Sequence, residues 1–265
     1  MKVARIPDHL VAGEGDKTVF LLHGGYGSKD YWGPQILRVA EQGYRVVAWD
    51  APGYGISPIP DCPYTIEMLA EACRLLIEQT GTEINYILGH SMGGLIAPKV
   101  YSLCPERISG LVLSATVQSL GHMDKQFQEE FIAERLAPMD AGHTLRDAAP
   151  ALIKTMMGPS SAGAHVDLVR EGTANTPDNT FRMAIRAIVE YVGEDALASI
   201  DVPTLCIAGE CDPVGRPEFM QDLANSIKDA EFVTIPDVGH YGWAEDPEAY
   251  NGHVFPFLAG IAGNA

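Results

Sequence analysis

Between two runs of opposite character lies the segment Gly89-His90-Ser91-Met92-Gly93-Gly94. Before it, Ile84-Asn85-Tyr86-Ile87-Leu88 is a short apolar run of the kind that forms a buried strand. After it, Leu95-Ile96-Ala97-Pro98-Lys99-Val100-Tyr101 is apolar at helical spacing, with Pro98 in its first turns. Passing directly from strand to helix takes the chain through a tight turn. Glycine two residues before Ser91 and two after removes side chains where strand and helix nearly touch. The pattern G-x-S-x-G alone is common by chance, but at a strand-to-helix junction it describes a nucleophile elbow, a strained turn that lifts a serine hydroxyl clear of a sheet.

A serine hydroxyl is a poor nucleophile at neutral pH and needs a base, and the base needs an orienting acid. Val202 to Gly209 reads as a buried strand and runs into Glu210-Cys211-Asp212-Pro213, a turn that would hold a carboxylate at the strand's C-terminal edge. Glu231 to Pro236 reads as the next strand and ends in Asp237-Val238-Gly239-His240. Ser91 is therefore the candidate nucleophile, His240 the base and Asp212 the acid. Glu210, Asp237 and Asp124 compete for the acid's place. Asp237 is only three residues from His240, too near for an easy approach on one loop, whereas the G-x-x-D-P context favours Asp212.

With its partners in the order Ser, Asp, His, the chain resembles the α/β-hydrolase superfamily. A loop Asp50-Ala51-Pro52-Gly53-Tyr54-Gly55-Ile56-Ser57, of the form D-x-P-G-x-G-x-S, and the segment from Trp243 to Pro247 after His240 add to the likeness. The resemblance implies that the loop after the strand Thr18 to Leu22, His23-Gly24-Gly25-Tyr26, lends a backbone N–H to an oxyanion hole and that the residue after Ser91 lends another. By position those donors are Gly25 and Met92. His23 is expected to support that loop through hydrogen bonds, and His90 to fill space at the elbow. Within the superfamily the chain looks most like small capped bacterial esterases and the 3-oxoadipate enol-lactonase type.

Strand-like runs at 19–22, 44–49, 84–88, 111–114, 205–208 and 232–235 alternate with helix-like stretches at 35–41, 66–79 and 95–103. This alternation predicts an α/β fold, a mostly parallel sheet with helices on both faces. It breaks between about Val117 and Ser199, where helical patterns at 125–136, 145–157 and 181–192 occur without a convincing strand. An inserted helical cap over residues 118–199, on a hydrolase core of residues 1–117 and 200–265, is the expectation. Five methionines of the nine lie there, Met123, Met139, Met156, Met157 and Met183. They would suit an apolar pocket, although packing between cap helices is the first reading for any one of them.

Composition narrows the partners. With 18 Lys and Arg against 35 Asp and Glu, the net charge is −17, a surface that repels nucleic acid and anionic membranes. It would disfavour an anionic substrate unless an arginine in the pocket offset it. No apolar run is long enough to span a bilayer, and Met1 to Asp8 lacks the apolar region of a signal peptide, so a cytoplasmic protein is the default. Cys62, Cys73, Cys104, Cys206 and Cys211 fit neither a disulfide framework nor a zinc site and read as free thiols, Cys211 standing beside the proposed acid. His122, His143 and His165 are not spaced as metal ligands, so neither a metal nor a cofactor is implied.

The resemblance implies a serine hydrolase cleaving a small carboxylic ester or lactone. A carbon–carbon bond hydrolase or a perhydrolase could use the same three residues. From other classes come a small-molecule sensor and a cofactor-free oxygenase on this fold. Substrate identity and oligomeric state stay open.

Overall fold

The computed structural model of the protein describes residues 5–262; the reading of Met1 to Ala4 lies outside them. Strands β1 (His9–Ala12), β2 (Lys17–Leu22), β3 (Arg45–Trp49), β4 (Ile84–His90), β5 (Gly110–Ser114), β6 (Thr204–Gly209) and β7 (Glu231–Ile235) form one sheet in the order β1-β3-β2-β4-β5-β6-β7. All neighbours run parallel except β1, which pairs antiparallel with β3, Leu10 opposite Ala48. The six expected strands are all present, and β1 is the addition. Its four residues are half-buried or exposed, too short and too weakly patterned to register as a strand, as suits a sheet edge.

Side chains alternate across a strand, and the sheet uses both faces. Phe20 and Leu22 of β2 enter one apolar cluster with α2 (Ile66–Thr80) and α3 (Met92–Leu103), while Val19 and Leu21 enter the other with α1 (Gly33–Glu41). Burial on both faces explains why these strands read as continuous apolar runs. Thr65 caps α2 by accepting from the Met68 N–H at 3.2 Å. Among the described residues no strand lies between β5 and β6. The chain there makes α4 (Lys125–Asp140), α5 (Leu145–Met156), α6 (Ala164–Ala174), α7 (Asp178–Glu190) and α8 (Glu194–Ala198). Three of these were expected in outline. Helix α6 has a weaker sequence signal, its A-H-V-D-L-V-R-E-G-T-A run carrying glycine and threonine near its end. Gly172 in α6 permits close packing, since a Cβ there would stand 3.3 Å from the Tyr31 Cβ.

The Asp50 loop that follows β3 is anchored by charge. Asp50 is fully buried and accepts from the Lys29 N–H at 2.7 Å and from Lys29 Nζ at 2.6 Å, while Asp8 reaches Nζ at 2.9 Å. Burial works against the Lys29 charge, but the Asp50 and Asp8 carboxylates overcome it and raise the Lys29 pKa. Gly55, at φ 52°, leaves room for that carboxylate, because a Cβ would fall 2.0 Å from Asp50 Oδ2. Lys29→Met strips Asp50 of its counter-charge and is expected to destabilise the fold by about 3 kcal/mol, read from urea unfolding. A loss below about 0.5 kcal/mol would mean that the pair behaves as a solvated surface bridge.

Candidate active site

Ser91 sits between β4 and α3 at φ 54°, ψ −116°, a conformation that costs a non-glycine residue on the order of 1–3 kcal/mol. Three hydrogen bonds hold it there. The Ser91 N–H donates to Ser114 O at 2.9 Å, and Ser91 O accepts from the Gly94 N–H and from Thr116 Oγ1, each at 2.8 Å. The flanking glycines are required sterically. A Cβ on Gly89 would lie 2.3 Å from Gly93 O, and one on Gly93 would lie 2.2 Å from Leu22 O. The elbow geometry read from the sequence is therefore present, and Pro98 is accommodated inside α3.

Of the four carboxylates considered, the structure brings Asp212 to His240. His240 Nδ1 lies 2.8 Å from Asp212 Oδ2, and both residues are buried. Asp212 Oδ1 accepts from the Val214 N–H at 2.7 Å, which fixes the carboxylate's rotation. The others are engaged elsewhere. Glu210 is exposed and accepts from the Asp237 N–H at 3.1 Å. Asp237 turns outward at φ 59°, and Asp124 caps α4 by accepting from the Phe127 N–H at 2.9 Å. Ser91 and His240 line one cavity, although among the described residues no hydrogen bond within 3.5 Å joins Ser91 Oγ to the imidazole.

Gly25 and Met92 line the same cavity. Among the described residues neither amide donates in a turn, loop or cap hydrogen bond. The loop that carries Gly25 is held by hydroxyls that sequence patterns did not identify. Tyr31 Oη accepts from the Gly24 N–H at 2.9 Å, Tyr54 Oη donates to Gly25 O at 2.9 Å, and Thr173 Oγ1 of α6 donates to Tyr26 O at 3.1 Å. His23 supports the loop as expected. Its Nε2 accepts from the Ala51 N–H at 3.0 Å, so Nδ1 carries the proton and donates to Gly24 O at 2.8 Å. The Asp50 loop thus contributes through Tyr54 and Ala51 rather than as a cavity wall.

The cavity holds about 320 Å³, at the small end of ligand pockets. Much of its apolar wall comes from the β5–β6 insertion, Leu120, Phe127, Phe131 and Met156 with Ile185 and Ile188 of α7, and the core adds Leu95, Val214 and Phe219. Of the five methionines in that insertion only Met156 lines the cavity. Met139 is buried, as the packing reading expects, whereas Met123 is exposed and serves neither packing nor the pocket. Cys211 is exposed, and partial desolvation followed by the charges of Glu210, Asp237 and Glu245 raises its thiol pKa. That setting is the opposite of one that activates a thiol. No group of three or more His, Cys, Asp or Glu side chains among the described residues is placed to hold a metal. No helix among them is long and apolar enough to cross a membrane.

One carboxylate organises the His240 loop. Glu245, in the short helix Gly242–Glu245, accepts from the Gly239 N–H at 2.9 Å, the Tyr241 N–H at 2.8 Å and the Gly158 N–H at 2.7 Å, and also bonds the Ser161 hydroxyl. The His240 N–H itself donates to Met156 O at 2.7 Å. Glu245→Ala leaves these half-buried donors unpaired and is expected to cost about 2–3 kcal/mol, measurable by urea unfolding. Retention of wild-type stability would show that water replaces the carboxylate without loss.

His90 fills space under the site. It is fully buried, its ring 4.8 Å from that of His240 and 5.1 Å from that of Tyr241, and neither ring nitrogen has a hydrogen-bond partner among the described residues. Burial, then the neighbouring His240 and His23, hold its pKa well below the usual 6.5, and burial also lowers that of His23. Both stay neutral in the native state, whereas the unfolded chain binds protons below about pH 6.5. This contribution to stability is thus whole above that pH and shrinks as pH falls. The urea midpoint should drop between pH 7.5 and 5.5, with a flatter slope in His90→Leu; an unchanged slope in the variant would exclude His90 as a source.

The family model for the alpha/beta hydrolase fold matches residues 17–247. A Variovorax paradoxus protein provisionally named carbamate hydrolase RutD is 29% identical over 259 residues, covering 95% of this chain and 96% of the relative. A Metapseudomonas resinovorans protein named 2-hydroxy-6-oxo-6-(2'-aminophenyl)hexa-2,4-dienoic acid hydrolase is 25% identical over 264 residues, 95% of this chain and 87% of its own length. Among solved structures, a thermophilic esterase from Thermogutta terrifontis superposes with a TM-score of 0.82 at 26% identity, covering 96% of this chain and 93% of that one. With its sheet order, its elbow and a family model that spans most of its length, the chain belongs to the alpha/beta hydrolase family.

Proposed function

We propose that this protein is a serine hydrolase that cleaves a small carboxylic ester or lactone through an acyl-enzyme. The observation that carries the reading is the buried His240–Asp212 contact at 2.8 Å, opening on the cavity that Ser91 lines. With Asp212 accepting from Nδ1–H, His240 Nε2 is left as the acceptor. Ser91 Oγ attacks the carbonyl carbon while its proton passes to Nε2, and Asp212 stabilises the imidazolium that forms. The oxygen that gains the charge takes the Gly25 and Met92 N–H groups, where loss of one donor typically costs about 3 kcal/mol. Collapse breaks the bond to the alcohol oxygen, which leaves with the proton from His240. Water, deprotonated by the same histidine, then attacks the acyl carbon and releases the acid, restoring Ser91.

In this reading residues 118–199 act as a cap on a core of residues 1–117 and 200–265, and α4 and α7 shape the acyl pocket. The esterase among the structural relatives supports ester chemistry. The dienoic acid hydrolase supports a second reading, carbon–carbon bond cleavage on the same residues.

The test is hydrolysis of p-nitrophenyl acetate, butyrate and octanoate. Ser91→Ala should lower kcat by at least about 10³-fold and Asp212→Asn by about 10⁴-fold, with far-ultraviolet circular dichroism unchanged. The small cavity favours butyrate over octanoate. Equal release by wild type and Ser91→Ala would overturn the reading. No release by wild type, with cleavage of a vinylogous diketone at its carbon–carbon bond, would establish the second one. Tight ligand binding without turnover would point to a sensor.

A further inference from the structure

Acids outnumber Lys and Arg 35 to 18 in this chain, so carboxylates are in ample supply. In the β5–β6 insertion, Arg182 meets Asp140 at 2.6 Å and Arg170 meets Asp167 at 2.7 Å. Arg135 of α4 has no carboxylate so near. It lines the Ser91 cavity, and its side chain is only 19% exposed. Nη1 donates to Phe131 O of its own helix at 3.2 Å, and the guanidinium carbon lies 3.3 Å from the centre of the Phe131 ring. The nearest carboxylate, Glu134 Oε2, stands 3.9 Å from Nη1 on a side chain that is 81% exposed, where solvent screens it. Glu130, the other acid on the cavity wall, is exposed and accepts from Gln126 Nε2 at 2.9 Å. Burial lowers the Arg135 pKa, opposed by Tyr26 and Glu134, the mark of a charge partly desolvated without close compensation.

A second guanidinium comes from the segment between β6 and β7. Arg216 follows Asp212 and Pro213, lines the same cavity and has no carboxylate within 4.0 Å among the described residues. Its Nε reaches Pro213 O at 3.4 Å, and its guanidinium carbon lies 5.7 Å from the centre of the Phe219 ring. A protein of net charge −17 has thus placed two arginines, the largely buried Arg135 and the exposed Arg216, in the walls of one cavity beside the exposed acids Glu130 and Glu134. A neutral acyl chain would leave Arg135 facing hydrocarbon with donors unused. A carboxylate would take two of them side by side, the geometry a guanidinium is built for, and Arg216 would help draw an anion in against the overall field.

We propose that Arg135 receives a free carboxylate on the substrate, so that the preferred substrate is an anionic ester such as the half-ester of a short dicarboxylic acid. This rests on the serine-hydrolase reading for its chemistry, but not for the binding of the anion. The experiment compares methyl hydrogen glutarate with methyl valerate, acyl chains of equal carbon number, by acid release in a pH-stat. Wild type should favour the half-ester in kcat/KM by about tenfold, mainly through KM, as expected for one charge-assisted hydrogen-bonded pair. Arg135→Gln should bring the ratio close to one, Arg135→Lys should hold an intermediate ratio, and Arg170→Gln, outside the cavity, should leave it as in wild type. In parallel, glutarate should raise the Tm of the Ser91→Ala protein, and adding Arg135→Gln should remove that shift. A flat ratio in wild type, or a ratio that survives Arg135→Gln, overturns the proposal while ester cleavage lost in Ser91→Ala leaves the hydrolase reading standing. If neither ester is cleaved, an Arg135-dependent glutarate shift keeps the anion site and removes the ester chemistry; the absence of that shift as well removes the site.

Discussion

A serine held at φ 54°, ψ −116° is the constraint on which the rest of the site depends. The conformation is unfavourable in isolation and persists because its surroundings leave no alternative. Parallel pairing of β4 with β2 and β5 fixes the strand end, α3 begins on the next residue, and hydrogen bonds from Gly94 and Thr116 fasten the carbonyl. Glycines at 89 and 93 are the steric condition for this, since a methyl group at either would overlap a backbone carbonyl. The sheet thus supplies rigidity and the glycines supply space, and together they set where a substrate carbonyl would have to sit.

The remaining groups are placed by loops, and hydrogen bonds from within and beyond each segment fasten them. Tyr31, Tyr54 and Thr173 hold the segment that carries Gly25. Val214 fixes Asp212, and Glu245 and Met156 fix the loop that carries His240. Partners drawn from Tyr31 to Glu245 therefore converge on three short segments. In a mostly buried setting each of these bonds is worth more kept than its net contribution suggests, because breaking one strands a partner away from water.

This division explains what the sequence made legible. Ser91, Asp212 and His240 announce themselves locally, each at the end of an apolar run and each within a short recognisable pattern. The choice of Asp212 over Glu210 and Asp237 followed from turn context, and the geometry at His240 agrees with it. Tyr54 and Thr173 could not be found that way, because their partners are remote in sequence and no periodicity marks them. Strand β1 escaped notice because an edge strand of four residues buries too little to leave a pattern. The net charge raised the question of an arginine in the pocket. Only the packing of α4 against the cavity singles out Arg135, because an isolated basic residue on a helix carries no sign of what its tip faces.

The insertion between β5 and β6 is not tethered evenly. Met156 O, the Gly158 N–H and the Ser161 hydroxyl are tied to the His240 loop and Glu245. Thr173 is tied to the loop beside Gly25, and Thr180 Oγ1 donates to Gly53 O at 2.8 Å. Helix α4 has no such mooring among the described residues: its side-chain bonds run within itself, to the turn before it and, through Asp140, to Arg182 of α7. The pocket accordingly has one adjustable wall and several fixed ones. Evolution could resize or recharge this cavity by redrawing a single helix, leaving the machinery beneath it untouched.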